Sequence, residues 1–424
     1  MSLDNVLLTP SLLTKLTLMN LTDNLYVCRN MSTAYTANFG QNGNKIGDSF
    51  QIRKPQRFEV TSGMTYSQQA LTDQSTTITV NDVAGVHFQF DSKERTLSLD
   101  FINDRYAKPA AIALANYINS QAAQFIAQNT WNMVGTPGTS PTDLATYLQA
   151  EDLLVAQGCP QNEQLTAIIN RQMSSAFIGS STITGMFNSQ DILSQQHRTG
   201  RVQNQLGYNW EIDQTIYKYT TGAQGGTPLV SAAPTEDTNG NNGTSSIVLK
   251  GLSASITGII KAGDTLTFAS VNSVYPQTRV DTGYSQQYVA LADATSNSSG
   301  VATVTVAPGF CSATATNVQQ QNITALPAAN AAVTINGGST YASKASSQGL
   351  LLHPDAFAFM SVPLENPEAN GVEMVAQETD PDTGAVLSFI RYFDGDSRTH
   401  KNRFDMLYGF GKLYPELACR IAGA

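Results

Sequence analysis

Charge is what this 424-residue sequence has least of. Asp, Glu, Lys and Arg together make up 13%, about half the share usual in globular proteins. Gln, Asn, Ser, Thr and Ala take their place. Such a surface suits a chain largely covered by partners better than a free monomer. The formal charge is −9, from 24 basic and 33 acidic residues, which argues against a nucleic-acid grip, since that needs clustered Lys and Arg. An acidic protein can still lie beside nucleic acid by not sticking to it. Cysteine is scarce too. Cys28, Cys159, Cys311 and Cys419 lie far apart, with no CxxC or metal-ligand spacing, and read as buried free thiols in a reducing compartment. The four histidines, His87, His197, His353 and His400, are isolated. GxSxG, P-loop and post-strand GxGxxG patterns are missing, so no cofactor or catalytic residue is assigned. Nor does the sequence hold an apolar run long enough for a bilayer. The N-terminal MSLDNVLLTPSLLTKL carries Asp4 where a secretory signal is basic, and Pro10 and Lys15 break its apolar run. It reads as no signal peptide, in a chain kept in the cytoplasm of its producing cell.

Two weak chemical candidates remain. Asp394, Asp396 and Asp405 with His400 suggest a metal or hydrolytic cluster, but DGD lacks the later Gly and Glu of a calcium loop. Turn carboxylates around Arg398 and Arg403 explain it more simply. Lys45 or Lys54 forming an isopeptide crosslink with a distant Asn is the other candidate.

What is present begins with Pro109–Thr142, which contains no charged residue at all. Leu114, Ile118, Ala122 and Phe125 form one apolar stripe at helical spacing. Pro109 suits the first turn, and Gly135 and Pro137 mark the expected stop. The back face, Asn116, Ser120, Gln121, Gln124 and Gln128, is polar but uncharged, as for a helix covered on more than one side. Before it, residues 1–39 read as an arm with a short amphipathic helix from Thr9-Pro10. From Gly47 to Phe90 the pattern alternates with period two and reads as a long hairpin carrying Arg53, Lys54 and Arg57. Residues 91–107 read as a turn and a short helix. After it comes a helix capped by Thr142 or Asp143 and closed by Gly158, then a strand at Leu165–Ile169 and a mixed region to about residue 221. Residues 222–346 change character: Asn/Gly/Ser turns separate the strands IVLKG, DTLTFASV, QYVALA, ATVTVAP and AAVTING, the pattern of an inserted all-β barrel or sandwich. Its acidic loop, with Glu236 and Asp237, reads as a disordered surface loop or as a contact with a neighbour across a symmetry axis. From Leu350 the mixed pattern returns. The reading there is a strand, a short helix after His353-Pro354, a strand pair around DPDTG, and a final strand, Gly turn and strand. The fold class is α+β.

Three segments carry a resemblance: Lys261-Ala-Gly-Asp264-Thr-Leu-Thr-Phe268 with Val274-Tyr-Pro276-Gln-Thr-Arg279; Arg403 to Gly409 with Tyr414-Pro415-Glu416 and Cys419-Arg420-Ile421; and Pro109 to Asn116. In this order the chain resembles the major coat proteins of short-tailed bacteriophages, which have the Johnson capsid fold and an inserted β-barrel, the I-domain. The resemblance implies an N-terminal arm (1–39), an E-loop hairpin (40–90), a peripheral domain with its spine helix (91–130) and an axial domain (131–221 and 347–385). The I-domain is then 222–346, and C-terminal strands (386–424) return to the peripheral domain. It further implies a non-enzymatic subunit that self-assembles into an icosahedral shell around double-stranded DNA. Its partners would be other copies of itself in hexamers and pentamers, a scaffolding protein, a portal protein and packaged DNA, with no membrane. Assembly would take place in the bacterial cytoplasm. Candidate intersubunit contacts are Arg53, Lys54, Arg57, Glu236 and Asp237. The alternatives are a non-viral encapsulating shell, a carbohydrate-binding or adhesive surface protein, and a hydrolase using Asp394, Asp396 and His400.

Overall fold

The computed structural model describes residues 10–34, 49–60, 62–64, 66, 68–69, 73–91, 106–180, 206–365 and 372–424. Lys45, the segment 92–105 that precedes the long helix, and His197 lie outside them. The chain forms two compact units.

The first comprises Met1–Gln51, Thr77–Ala122 and Ala358–Gly411. Helix α1, described over Pro10–Thr22, buries Leu13, Leu18 and Leu21. It packs on strands β16 (Val372–Thr379) and β17 (Val386–Asp394). These belong to a sheet ordered β15-β18-β17-β16, with β15 (Phe357–Val362) and β18 (Thr399–Lys412). Strand β3 (Asp82–Asp91) pairs with β18 from Asp91/Thr399 to Tyr408/Asp82. The second arm of the long hairpin read from sequence therefore divides. Among the described residues of the hairpin, β1 (Ser49–Lys54) and β2 (Gln74–Thr79) pair with each other. The reason is packing: in β3, half-buried Phe88 stacks on Tyr106 at 6.1 Å and lies tilted against Phe404 at 6.0 Å, contacts an isolated two-stranded ribbon cannot offer. Helix α2 (Tyr26–Arg29) follows α1, with the Val27 N–H donating to Asn119 Oδ1 at 3.3 Å.

Asn119 lies on α3 (Lys108–Asn129), the charge-poor helix, whose residues divide between the two units. At 22 residues it spans about 33 Å. Leu114, Ile118 and Ala122 are buried, and Phe125 meets Phe357 in a T-shaped contact at 6.0 Å. The helix stops at Asn129, short of the expected Gly135. Asn129 Nδ2 and Thr130 Oγ1 bond the last-turn carbonyls of Phe125 and Ile126, both at 2.8 Å, after which Trp131 is buried in a separate cluster with Val289 and Ala307.

The second unit comprises Ile52–Thr76, Ala123–Phe357 and Lys412–Ala424. One sheet runs β4 (Met133–Gly135), β19 (Ala418–Gly423), β14 (Ala345–Leu352), β5 (Thr166–Ile169), β6 (Asn209–Ile212), with β7 (Lys218–Thr220) also on β14. Helix α4 (Leu144–Ala156) begins after Asp143, an anticipated cap that makes no side-chain bond to it. Helix α5 (Arg171–Ile178) is capped by Asn170, which accepts from the Met173 N–H at 2.7 Å. Beyond His353-Pro354 the chain makes a turn and then β15, not a helix. Phe357 to Ser361 are all buried, so the strand has no polar alternation to betray it.

Residues 226–335 form the inserted barrel: β8 (Gly226–Val230), β9 (Ser245–Leu252), β10 (Thr265–Val274), β11 (Asp281–Ala290), β12 (Ala302–Ala307) and β13 (Val333–Ile335), ordered β13-β10-β11-β12-β9-β8. The outer strands meet. Leu229 bridges Ala332, the Val230 N–H donates to Ala331 O at 3.0 Å, and the Asn330 N–H to Val230 O at 2.9 Å. The interior holds Phe268, Tyr288 and Phe310, with ring centroids 4.7–5.7 Å apart.

Candidate interaction surfaces

The hairpin needs support because its two short strands have no core of their own. Its root is fixed by the C-terminal segment. Lys54 Nζ lies 4.9 Å from the Tyr414 ring centroid, a cation–π contact. Arg57 Nη2 is 3.5 Å from Oε1 of the buried Glu416, and Thr76 Oγ1 donates to Lys412 O at 2.8 Å. Burial pushes the Lys54 ammonium down, Glu416 opposes this, and Arg57 and Lys412 add to it. Arg53, on the alternate face of β1, is exposed. Of the three basic residues read as intersubunit contacts, then, Lys54 and Arg57 face one intrachain cluster and Arg53 faces outward. Further out, Gln56 Nε2 donates to Asp73 Oδ1 at 2.7 Å and the Glu59 N–H to Gln69 Oε1 at 2.9 Å. These bonds cross-link the arms while Phe58, Val60, Met64 and Tyr66 stand exposed.

Glu236 and Asp237 sit on a loop that is tied down and not disordered. Glu236 accepts from the Ser312 N–H at 2.9 Å, from Thr314 Oγ1 at 2.9 Å and from the Ser312 hydroxyl. The Asp237 N–H donates to Phe310 O at 2.6 Å, and its Oδ1 accepts from the Asn239 N–H at 3.1 Å. Burial raises the Asp237 carboxyl, against the Asn239 and Thr238 N–H groups. A Cβ built on Gly309 would lie 1.9 Å from its Oδ2, so only glycine leaves room for that oxygen.

The junction of the inserted barrel was not visible as a site, although two of the resembling segments meet there. Asp264 is fully buried and accepts from the Gly222 N–H at 3.1 Å, the Lys261 N–H at 2.8 Å and Asn336 Nδ2 at 2.7 Å. It thus ties the chain where it crosses into the barrel to the chain just before it leaves. A Cβ on Gly222 would sit 2.5 Å from Ile259 O. Arg420 of β19, equally buried, donates to Gly263 O at 2.7 Å and Thr265 Oγ1 at 2.6 Å. Burial raises the Asp264 carboxyl, opposed by its N–H donors and Arg420. Burial lowers the Arg420 guanidinium, opposed by Tyr219 and Asp264.

The acidic candidates have local roles. Asp394 accepts from Lys401 Nζ and Ser397 Oγ, both at 2.8 Å. Those bonds hold its carboxyl down at about 2. Asp405 is taken by Arg403, and the His400 ring lies on Phe393 at 4.9 Å. Among the described residues a different group, Glu163, His353 and Asp355, gathers ligand atoms within 4.8 Å. His353 Nδ1 accepts the Asp355 N–H at 3.2 Å. In the neutral ring this places the proton on Nε2, 3.6 Å from Glu163 Oε2, so the ring turns a proton and not a lone pair toward the carboxylate. Among the described residues, no helix is long and apolar enough to cross a membrane.

The family model described as "P22 coat protein - gene protein 5" matches residues 8–423. Among solved structures, one titled Mycobacterium phage Che8 is 12% identical, covering 94% of this chain and 90% of that chain with a TM-score of 0.48. The capsid of the cyanophage P-SCSP1u is 13% identical, covering 89% and 84%, with a TM-score of 0.44. The CUS-3 coat protein I-domain is 28% identical over 26% of this chain and 96% of that chain, with a TM-score of 0.20. No curated protein matches.

Proposed function

Because the chain belongs to the P22 coat protein family and is a major capsid protein, many copies of which form a phage shell, we propose that its hairpin is the arm by which one copy grips the next. The observation that carries this is the hairpin itself: Phe58, Val60, Met64 and Tyr66 are exposed at the end of a ribbon with no core. Exposed apolar groups clustered on one projection mark a contact site. A second copy is the partner a shell subunit always has. The β1–β2 ribbon then corresponds to the E-loop, the unit holding β3 and the β15-β18-β17-β16 sheet to the peripheral domain, the β4-β19-β14-β5-β6 sheet to the axial domain, and 222–346 to the I-domain, so the E-loop is shorter than 40–90 and the axial return shorter than 347–385.

Assembly then proceeds in the bacterial cytoplasm, with a scaffolding protein and a portal ring, to an icosahedral shell around double-stranded DNA. A subunit of charge −9 repels that polyanion and avoids trapping it by non-specific binding. No residue is assigned a catalytic role.

Negative-stain microscopy of the protein expressed with and without its neighbouring genes tests assembly and its dependence on a scaffold. Closed shells, spirals or polyheads are expected, and dispersed monomers under both conditions would overturn the assembly pathway. Among the basic residues, Arg53→Glu is the informative change, since Lys54 and Arg57 also hold the hairpin root. It should impair shell formation with the melting curve unmoved. Normal shells from that variant would remove Arg53 from the interface.

A further inference from the structure

We propose that the inserted barrel braces the hairpin of its own subunit, with Arg279 as the positioning residue. The barrel reaches the ribbon at two separated points. At the root, Asn242 Nδ2 donates to Ser75 O at 2.9 Å, and Gln74 Nε2 to Asn239 Oδ1 at 3.5 Å. The loop making these contacts is anchored from behind. Asn317 Nδ2 donates to Thr238 O at 3.0 Å and Asn322 Nδ2 to Asn241 Oδ1 at 3.2 Å. At the arm, Arg279 Nη1 lies 3.1 Å from Glu59 Oε1.

Arg279 is built for that position. Its φ is 57°, a left-handed conformation that L side chains avoid. The turn is held by the Arg279 N–H on Tyr275 O at 2.8 Å and the Tyr275 N–H on Val280 O at 3.0 Å. Its side chain is 13% exposed, against 43% for Glu59. The cation is fixed by the barrel, and the ribbon comes to it. Two such points constrain the direction in which a ribbon without a core projects, and hence where its apolar end meets the next copy. The consequence for assembly rests on the hairpin contacting a neighbour; the brace itself does not.

The test uses the full-length unassembled protein and the variants Arg279→Glu, Glu59→Arg and the charge-swapped double. Hydrogen exchange of the β1 and β2 amides should rise about two- to fivefold in each single variant, the range an exposed ion pair commands, and return toward the parent in the double. Shell diameters should broaden in the singles and narrow again in the double. Unchanged exchange in both singles, or a double no better than either, overturns the brace. If Arg279→Glu fails to fold, Arg279→Gln serves, with a smaller rise expected and none overturning. Exchange is read before any neighbour is present, so its outcome is separate from that of Arg53→Glu, which judges the neighbour contact alone.

Discussion

Six strands of the barrel enclose Phe268, Tyr288 and Phe310, whereas the two strands of the hairpin leave Phe58, Val60, Met64 and Tyr66 in solvent. Both are β-structure drawn from the same charge-poor composition. The barrel's strands are satisfied by one another. The hairpin takes its supports from elsewhere in the chain: Tyr414, Glu416 and Asn242 at its root, Arg279 further along its arm. The contrast separates strands that close on one another from a ribbon whose supports lie elsewhere in the chain.

The sharpest way to break this contrast is inside the barrel. Phe268→Ala should cost about 3–5 kcal/mol, the usual loss for a large core ring, read as a lowered thermal transition. The isolated segment 223–346 should still give dispersed amide resonances, and an unstructured spectrum would show that the barrel too depends on the rest of the chain. On the hairpin the same measurement should show almost nothing. Val60→Ser with Met64→Ser should leave monomer stability within about 0.5 kcal/mol, as for other exposed sites, while the yield of shells falls. A clear destabilisation of the monomer would mean these side chains are already buried within one subunit. The smallest effect is expected at the β17–β18 turn. Lys401 and Ser397 lower the Asp394 carboxyl from 3.8 to about 2. Its ionised form therefore favours the folded state fully above about pH 4, and that contribution is lost as pH falls toward 2. Asp394→Asn should flatten this part of a melting-temperature profile against pH.

Sequence legibility followed the same division. Strand β9 alternates buried and exposed residues over Ser245–Leu249, so its period of two is plain in the sequence. The expected Gly turn near the C-terminus failed for a different reason. β18 continues through Gly409 and Gly411 because a Cβ on Gly409 would lie 2.1 Å from Thr79 O. The glycines there permit close approach of two backbones and do not bend either. Strand β15 carries no alternation because both its faces are buried. Asp264, Gly222, Asn336 and Arg420 come together from four distant places in the chain, as do Glu163 and His353. Local pattern holds no record of such meetings. Asp264 and Arg420 stand out in the sequence through resemblance and not through any chemistry visible in their spacing.

The bridge from Leu229 to Ala332 has a consequence for crowding. A sheet that stops at an unpaired strand offers free N–H and C=O groups to any other chain that drifts alongside. Subunits packed into a shell stand closer than in any ordinary solution, and one barrel open along a seam would invite its equivalents to zip onto it. Holding Leu229 and Val230 against Asn330, Ala331 and Ala332 occupies part of that edge, and so shortens the template a neighbouring barrel would meet.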